Sequence, residues 1–443
     1  MSAFWCERAW LGEGPIEAGV LVQVRGEHID NVLAGVSAPP PHAQPLRGLV
    51  IPGLANAHSH CFQRALRGRT QQARGSFWTW REQMYDLARS LEPDSMLALA
   101  RATFGEMALA GVTLVGEFHY LHHASGGTTY ADQNAMGAAV VRAAEEAGVR
   151  LTLLDACYLH GGIGAEPSPV QRRFCDRDVE AWAARVDRLV DGPLVRFGAA
   201  IHSVRAVDPD AAAVVAAWAK DRSAPLHAHV SEQRGENEAC LAAYGATPTG
   251  VLERAGALSR RFTAVHATHV SAPDAGLLGD AGAFCCLCPT TERDLADGIG
   301  LASQLRRAGA RLTLGSDSNA MIEPLEEARA VELDERLATG VRGAHRADEL
   351  LSAATANGYT GLGWPEGGAI RTGQLADLVA IRVDGVRLAG ARTGELIDAL
   401  VFAGAAADVG DVVVGGRMVV RDGRHVAIDV ARELEATITG VES

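Results

Sequence analysis

Eight short apolar segments recur along the middle of the chain, and stretches of helical period separate several of them. The segments cover residues 49–57, 113–119, 150–158, 195–203, 225–231, 262–267, 283–288 and 311–316. Helices are predicted between them, with acidic residues or a cap at their starts and glycines after their ends, at residues 93–110, 131–147, 178–190 and 209–220. Strands that alternate with helices form a parallel sheet, and eight such units close into a barrel. The sequence therefore predicts an α/β protein with a (β/α)8 barrel of the TIM type.

The two ends of the chain do not continue this alternation. Residues 1–49 contain short strands with a glycine turn and a proline-rich loop. Residues 366–443 return to short strands, include a hairpin at 415–423 and finish in a helix. We therefore expect a barrel over residues 50–365 and one small β-sandwich domain that is assembled from both chain ends.

Charge and composition restrict the classes of function. The 443 residues carry a net charge of −13 at pH 7, and 48% of them are hydrophobic. A basic surface for nucleic acid or anionic lipid is not expected at this charge. The sequence shows neither a cationic leader nor an apolar run of about 18 residues, so we expect a cytoplasmic protein without a membrane span.

Eight cysteines are scattered along the chain, which is not the pattern of a disulfide framework. Three of them lie close together, at Cys285, Cys286 and Cys288. Thiols at this spacing could bind a soft metal ion. Because they fall inside an apolar segment, we interpret them as small buried residues of a strand.

Two histidines, His58 and His60, end the first apolar segment. Side chains two residues apart on a strand point to the same face, so the pair supplies half of a metal site. With 15 histidines in the chain, a single His-x-His pair could equally arise by chance. The interpretation therefore depends on further ligands from other strands.

Such residues gather at the predicted C-terminal ends of the strands, where TIM barrels carry their functional side chains. Beyond the first pair, they are Glu117, His119, Tyr120, His202, Arg205, His227, His229, Glu232, His266, His269 and Asp317. Two histidines of strand 1, one of strand 5 and the aspartate of strand 8 can surround a zinc ion and leave a position for water. Glu232 is near enough to His229 to carry a proton, and His266 can orient the water or stabilise developing charge.

The motifs His58-x-His60, His229-x-x-Glu232, His266 and Ser316-Asp317 resemble the deaminase branch of the amidohydrolase superfamily, over essentially the whole chain. Four longer strings resemble the formimidoylglutamate deiminases of histidine degradation, at residues 56–65, 76–82, 117–123 and 316–319. Cys61 stands where that family is expected to have alanine, and residues 320–323 depart from its usual continuation.

The resemblance implies hydrolysis of N-formimidoyl-L-glutamate to N-formyl-L-glutamate and ammonia. It implies a metal bound by His58, His60, His229 and Asp317, with proton transfer and charge stabilisation by Glu232, His266 and Asp317. It assigns the two substrate carboxylates to Gln63, Arg81, Tyr120, His202 and Arg205. Zinc is the expected metal, although iron and manganese share such ligands. We expect a single ion, because strand 4 lacks the lysine that bridges two metals in binuclear members, and a homodimer is implied.

Two other functions remain open at this point. A deaminase of the same branch that acts on a purine, pyrimidine or triazine ring would keep the metal ligands but need no dicarboxylate clamp. A non-catalytic metal-binding barrel would be expected to lose a ligand or the proton carrier, and neither is missing here. The loop at Gly126-Gly127 and the segment 161–177 are candidates for a lid.

Overall fold

The computed structural model describes residues 2–71 and 74–442, and its strands fall into two sheets. The first part of one sheet comes from the N-terminal segment, with β1 Ser2–Ala9, β2 Glu17–Arg25, β3 His28–Leu33 and β4 Gln44–Pro52. The other sheet is parallel and contains β5 Leu54–Ser59, β6 Val112–His119, β7 Arg150–Cys157, β8 Val195–Ile201, β9 Leu226–Val230, β10 Phe262–His266, β11 Phe284–Leu287 and β12 Arg311–Leu314. The C-terminal segment adds β13 Leu378–Ile381, β14 Val409–Val414, β15 Arg417–Arg421 and β16 Arg424–His425 to the first sheet.

Helices follow most of the parallel strands. The α-helices of the described chain are α1 Phe77–Ser90, α2 Pro93–Leu109, α3 Ala135–Ala147, α4 Val179–Val186, α5 Pro209–Asp221, α6 Arg234–Tyr244, α7 Pro248–Arg254, α8 Ala272–Asp280, α9 Pro289–Asp294, α10 Ala302–Ala308, α11 Pro324–Thr339, α12 Ala347–Ser352 and α13 Gly358–Gly361, followed in the C-terminal segment by α14 Leu396–Ala403 and α15 Val430–Glu442. Their boundaries follow local signals. The Asp208 carboxylate accepts backbone N–H groups at the start of α5, and Gly148 ends α3 in a left-handed conformation.

The parallel strands run in sequence order from β5 to β12 and close into a barrel. Closure occurs where Ser59 bridges Asp317: the His60 N–H donates to the Asp317 carbonyl at 2.9 Å, and the Asp317 N–H donates to the His58 carbonyl at 3.0 Å. The predicted (β/α)8 barrel is confirmed. Cys285 and Cys286 lie in β11 and Cys288 follows it directly; all three are buried and form no disulfide.

The two chain ends meet in the other, mixed sheet, as predicted. Its strand order is β16-β15-β14-β13-β4-β1-β2-β3, so that β13 from the C-terminal segment pairs antiparallel with β4 from the N-terminal segment. Arg150, at the start of β7, joins this sheet to the barrel. Its buried guanidinium binds Asp377 at 2.9 Å and Glu27 at 2.9 Å, and the Tyr359 hydroxyl also donates to Asp377.

The first predicted strand, at residues 49–57, is in fact divided between the two sheets. Its first part belongs to β4 and its second part to β5, with Gly53 between them. A Cβ atom at Gly53 would lie 2.1 Å from Thr113 Oγ1, so only glycine fits at this junction. Among the described residues, no helix combines the length and apolar character needed to cross a bilayer.

Candidate active site

Polar side chains converge at the C-terminal end of the barrel. The candidate ligand atoms of His58, His229, His266 and Asp317 lie within 4.8 Å of one another, and all four residues are buried. Asp317 Oδ1 is 3.1 Å from His58 Nε2 and 3.3 Å from the Nε2 of His60, the remaining predicted ligand. The Nε2 atoms of His58 and His229 are 3.2 Å apart.

Backbone carbonyls fix the orientation of two of these imidazoles. His60 Nδ1 donates to the Phe118 carbonyl at 2.9 Å, and His229 Nδ1 donates to the His202 carbonyl at 2.8 Å. A carbonyl can only accept, so the proton is on Nδ1 and the lone pair of Nε2 faces the centre of the group. Several lone pairs and a carboxylate around one point suit a divalent cation, and these residues therefore fit a metal ion such as zinc.

Burial keeps these imidazoles neutral, as metal ligands must be. It lowers the pKa of His60 to about 3, and burial with the neighbouring imidazoles lowers the pKa of His58 and His229 well below the usual value. Burial also raises the pKa of the Asp317 carboxyl to about 7, and a bound cation would favour its ionised form.

Glu232 and His266, the catalytic pair that the resemblance implies, lie close to each other and to Asp317. His266 Nε2 is 3.8 Å from Glu232 Oε1 and 4.0 Å from Asp317 Oδ2, and it has no hydrogen-bond partner within the described chain. On the other side of the ring, Nδ1 faces Glu292 Oε1 at 3.4 Å. Burial alone would lower the pKa of His266, but the Glu292 hydrogen bond and the surrounding carboxylates raise it to about 10. Glu232 Oε2 accepts a 2.8 Å hydrogen bond from Arg205 Nη2.

The strand ends that carry these groups have unusual backbone geometry. His266 has a φ of 66° and Asp317 a φ of 45°, in the left-handed region that non-glycine residues seldom adopt. Asn319 holds the turn after Asp317, because its side-chain amide donates to the His60 carbonyl at 3.0 Å. Strained residues of this kind cluster at functional sites, where the surrounding contacts hold them in place.

A cavity of about 350 Å³ lies over the group. All five predicted substrate-binding residues line it: Gln63, Arg81, Tyr120, His202 and Arg205. The Gln63 side-chain amide donates to the Tyr120 hydroxyl at 2.8 Å, and Gln63 Oε1 is buried without a partner in the described chain. The Arg81 guanidinium stacks over the Trp78 ring at 4.5 Å. Arg81 has no ion pair with a carboxylate of the described residues, and its Nε is buried and unpartnered among them.

Comparison with known proteins gives the family. The amidohydrolase family profile matches residues 49–419. The chain belongs to the amidohydrolase family. A formimidoylglutamate deiminase from Pseudomonas aeruginosa is 39% identical to it over 442 residues, or 96% of each chain. A 5-methylthioadenosine/S-adenosylhomocysteine deaminase from Natronomonas pharaonis is 29% identical over 393 residues, or 87% of this chain and 85% of the relative. The crystal structure of an amidohydrolase from Brucella melitensis superposes with a TM-score of 0.93 at 34% identity, covering 100% of both chains.

These matches define the chemistry at the level of the family. This amidohydrolase is a hydrolase of C–N bonds and a deaminase of its superfamily. The superfamily is metal-dependent, in agreement with the buried group of histidines and aspartate described above. The predicted resemblance to formimidoylglutamate deiminases is confirmed by the 39% identity.

Not every polar residue at a strand end belongs to the cavity of this amidohydrolase. Glu117 accepts a hydrogen bond from the Cys61 N–H, and His119 packs against His122; neither lines the cavity. Sequence reasoning also missed two residues near the site. Tyr158 follows β7 and lines the cavity, and Glu292 contacts His266 from the segment after β11. Both lie at or just after the carboxyl ends of predicted strands, so the positional rule applied to strands 3 and 7 would have found them.

Proposed function

We propose that this amidohydrolase converts N-formimidoyl-L-glutamate and water into N-formyl-L-glutamate and ammonia. The observation that carries the proposal is the guanidinium of Arg81, which pairs with no carboxylate of the described residues and lines the same cavity as His60, His229 and Asp317. A buried or half-buried cation without a protein carboxylate favours an anionic ligand. The 39% identity with a formimidoylglutamate deiminase supports the same substrate.

The chemistry requires a nucleophile and a proton carrier. A zinc ion held by His58, His60, His229 and Asp317 would lower the pKa of a water molecule toward neutrality. In this proposal Glu232 takes one proton from the attacking water and delivers it to the departing nitrogen. The water oxygen bonds to the amidine carbon, the second water proton passes from the resulting hydroxyl through Asp317 to the terminal nitrogen, and the bond to that nitrogen breaks, so that ammonia leaves a formyl group behind.

The remaining residues of the site interact with negative charge on the substrate or in the transition state. His266 lies between Glu232, Asp317 and Glu292, so it can donate to negative charge that develops in the transition state. Arg81 offers its guanidinium N–H groups, among them an Nε that is unpartnered in the described chain, to a substrate carboxylate. Gln63, Tyr120 and His202 add polar atoms to the same cavity, and Arg205 contributes a second cation although it already contacts Glu232.

A second candidate function is the deamination of a ring substrate. Aromatic side chains form much of the cavity wall and could stack on a planar ring: Phe77, Trp78, Trp80, Tyr85, Tyr120, Tyr158 and Phe174. A relative that is named as a 5-methylthioadenosine/S-adenosylhomocysteine deaminase supports this alternative at 29% identity. A ring substrate without a carboxylate, such as guanine or cytosine, would not use the charge of Arg81.

Ammonia release by zinc-loaded protein distinguishes the two candidates. N-formimidoyl-L-glutamate is compared with guanine, cytosine and S-adenosylhomocysteine, for the native chain and for Arg81→Met. We expect the dicarboxylate to be preferred, and Arg81→Met to lower its kcat/KM by about 10- to 100-fold, as for one charge-assisted hydrogen bond. Arg89→Met is the matched control, because Arg89 lies on the same helix and is exposed beside Asp86.

Faster turnover of a ring substrate, together with an unchanged kcat/KM in Arg81→Met, would contradict the proposal. We further propose one zinc ion per chain and a homodimer in the cytoplasm, as the family resemblance implies. Metal analysis of the purified protein, light scattering in solution and cell fractionation test these three points.

A further inference from the structure

Helix α1 forms one wall of the cavity, and its position decides where Arg81 lies. The helix follows the segment after β5 and does not belong to the alternating units of the barrel. It contributes a large share of the cavity lining, with Phe77, Trp78, Trp80, Arg81, Met84 and Tyr85. A contact that fixes the position of α1 therefore also fixes Arg81, the proposed carboxylate-binding cation.

A single buried arginine, Arg173, holds the C-terminal end of α1. Its Nη1 donates to the Arg89 carbonyl at 3.0 Å and also to the Ala88 carbonyl, and its Nη2 donates to the Leu91 carbonyl at 2.5 Å. Its Nε donates in another direction, to the His123 carbonyl at 2.8 Å. Only 1% of the Arg173 side chain is exposed. The guanidinium thus joins the end of α1 to the loop that follows β6.

The end of a helix is a suitable place for this cation. The last carbonyls of a helix lack intrahelical partners and carry the negative end of the helix dipole. A guanidinium presents five N–H groups in a planar fork, so one side chain can satisfy several carbonyls at once. The nearest carboxylate is Glu92 at 3.7 Å, and its side chain is 52% exposed, so the carbonyls are the main partners of Arg173.

The residues around Arg173 extend the connection to the rest of the cavity wall. The Arg173 carbonyl accepts the N–H groups of His122 and His123 at 3.0 and 2.9 Å. The ring of the next residue, Phe174, lies 5.9 Å from the Tyr85 ring on α1 and 5.2 Å from the Tyr120 ring. The segment 161–177, a lid candidate in the sequence, therefore contacts both α1 and the end of β6.

We propose that Arg173 is a positioning residue for substrate recognition: it fixes α1 and thereby places Arg81 over the metal-ligand group. The proposal rests on the proposed function in one respect, namely that Arg81 binds a substrate carboxylate. Arg173 itself does not line the cavity. Its effect on substrate therefore passes through α1.

The test uses the full-length, metal-loaded protein with Arg173→Lys and Arg173→Met. Lysine keeps the charge and three donors but cannot span the carbonyls of Leu91 and His123, whereas methionine removes every donor. Arg172→Met is the matched control, because Arg172 is adjacent and exposed. Hydrogen exchange of residues 77–90 reports the helix directly, and steady-state kinetics report the substrate.

We expect faster exchange in the last turns of α1 for Arg173→Lys, and a KM for N-formimidoyl-L-glutamate raised about tenfold with kcat within about threefold, as for lost uniform binding. In an Arg81→Met background, Arg173→Lys should raise KM by no more than about twofold, because the two changes act through one contact. Should Arg173→Met fail to fold, Arg173→Lys alone decides these points.

Unchanged exchange in α1 would overturn the positioning role, and so would a tenfold KM effect that persists in full without Arg81. Failure of the proposed function has a different signature. If only a ring substrate is turned over, the assignment of a dicarboxylate substrate is wrong. Hydrogen exchange of residues 77–90 still tests, independently of the substrate, whether Arg173 fixes α1.

Discussion

The two arginines of the cavity should respond differently to the same substitution. Arg81 has no carboxylate partner in the described chain, whereas Arg205 donates to Glu232 at 2.8 Å. Arg81→Met removes a substrate contact and should act mainly on KM. Arg205→Met also removes the cation beside the proposed proton carrier, and should therefore act on kcat.

The burial of the Arg205–Glu232 ion pair determines the expected size of the effect on kcat. The Arg205 and Glu232 side chains are 16% and 7% exposed, so solvent screens the pair only weakly. Removing one member of a buried ion pair costs about 3–5 kcal/mol, because the other charge is left without a partner. Only the part of this cost that falls on the transition state lowers kcat; a hydrogen bond to a charged group, about 1.5–3 kcal/mol, corresponds to a kcat lower by about 10- to 100-fold at about 1.4 kcal/mol per factor of ten.

Steady-state ammonia release by metal-loaded Arg205→Met, Arg205→Lys and Arg81→Met measures this difference. Metal content is determined for each variant, since a lost ion would lower kcat for another reason. Arg205→Lys keeps a cation beside Glu232 and should recover part of kcat. If Arg205→Met raises KM alone and leaves kcat within about threefold, the ion pair has no catalytic role and the reasoning is refuted.

Three further predictions concern the metal, the stability and the pH dependence. Treatment with a chelator should abolish activity and added zinc should restore it, whereas His58→Ala should bind less metal in direct metal analysis and stay inactive. Arg150→Met should lower the free energy of unfolding by about 3–5 kcal/mol in urea titrations, because Asp377 stays buried without its cation; an unchanged midpoint would contradict this. Burial opposes ionisation of Asp176, but His123 and Arg185 hold the pKa of its carboxyl below the usual range. The ionised carboxylate therefore stabilises the folded state above about pH 4, and this contribution is lost as the pH falls further. Asp176→Asn should accordingly reduce stability at pH 7 and have less effect at pH 3.

Periodicity was sufficient to predict the barrel, because each strand and helix carries its own local signal. The position of Asp317 could also be predicted, since the ends of parallel strands meet at one face of the barrel. The division of residues 49–57 between two sheets could not be predicted from the sequence. It depends on the contact between Gly53 and Thr113, and residues so far apart in sequence give no local pattern.

The residues of the cavity show the same limit of prediction from local sequence patterns. Gln63 and Arg81 were assigned through resemblance alone, because neither lies at the end of a barrel strand. Arg173 was not singled out, since an arginine in an irregular segment looks like a surface residue. Its burial depends on the orphan carbonyls of a helix more than 80 residues earlier in the chain. Tertiary contacts of this kind are invisible to periodicity.

The barrel closes between its first and last strands, and the proposed metal ligands come from both sides of that seam. His58 and Asp317 are 259 residues apart in sequence. An ion shared between them would act as a cross-link between the two ends of the barrel, in the way a disulfide joins distant parts of a secreted chain. Binding to the folded state alone would then stabilise the closed barrel in proportion to the logarithm of metal concentration. Loss of the ion would weaken the scaffold as well as the catalyst.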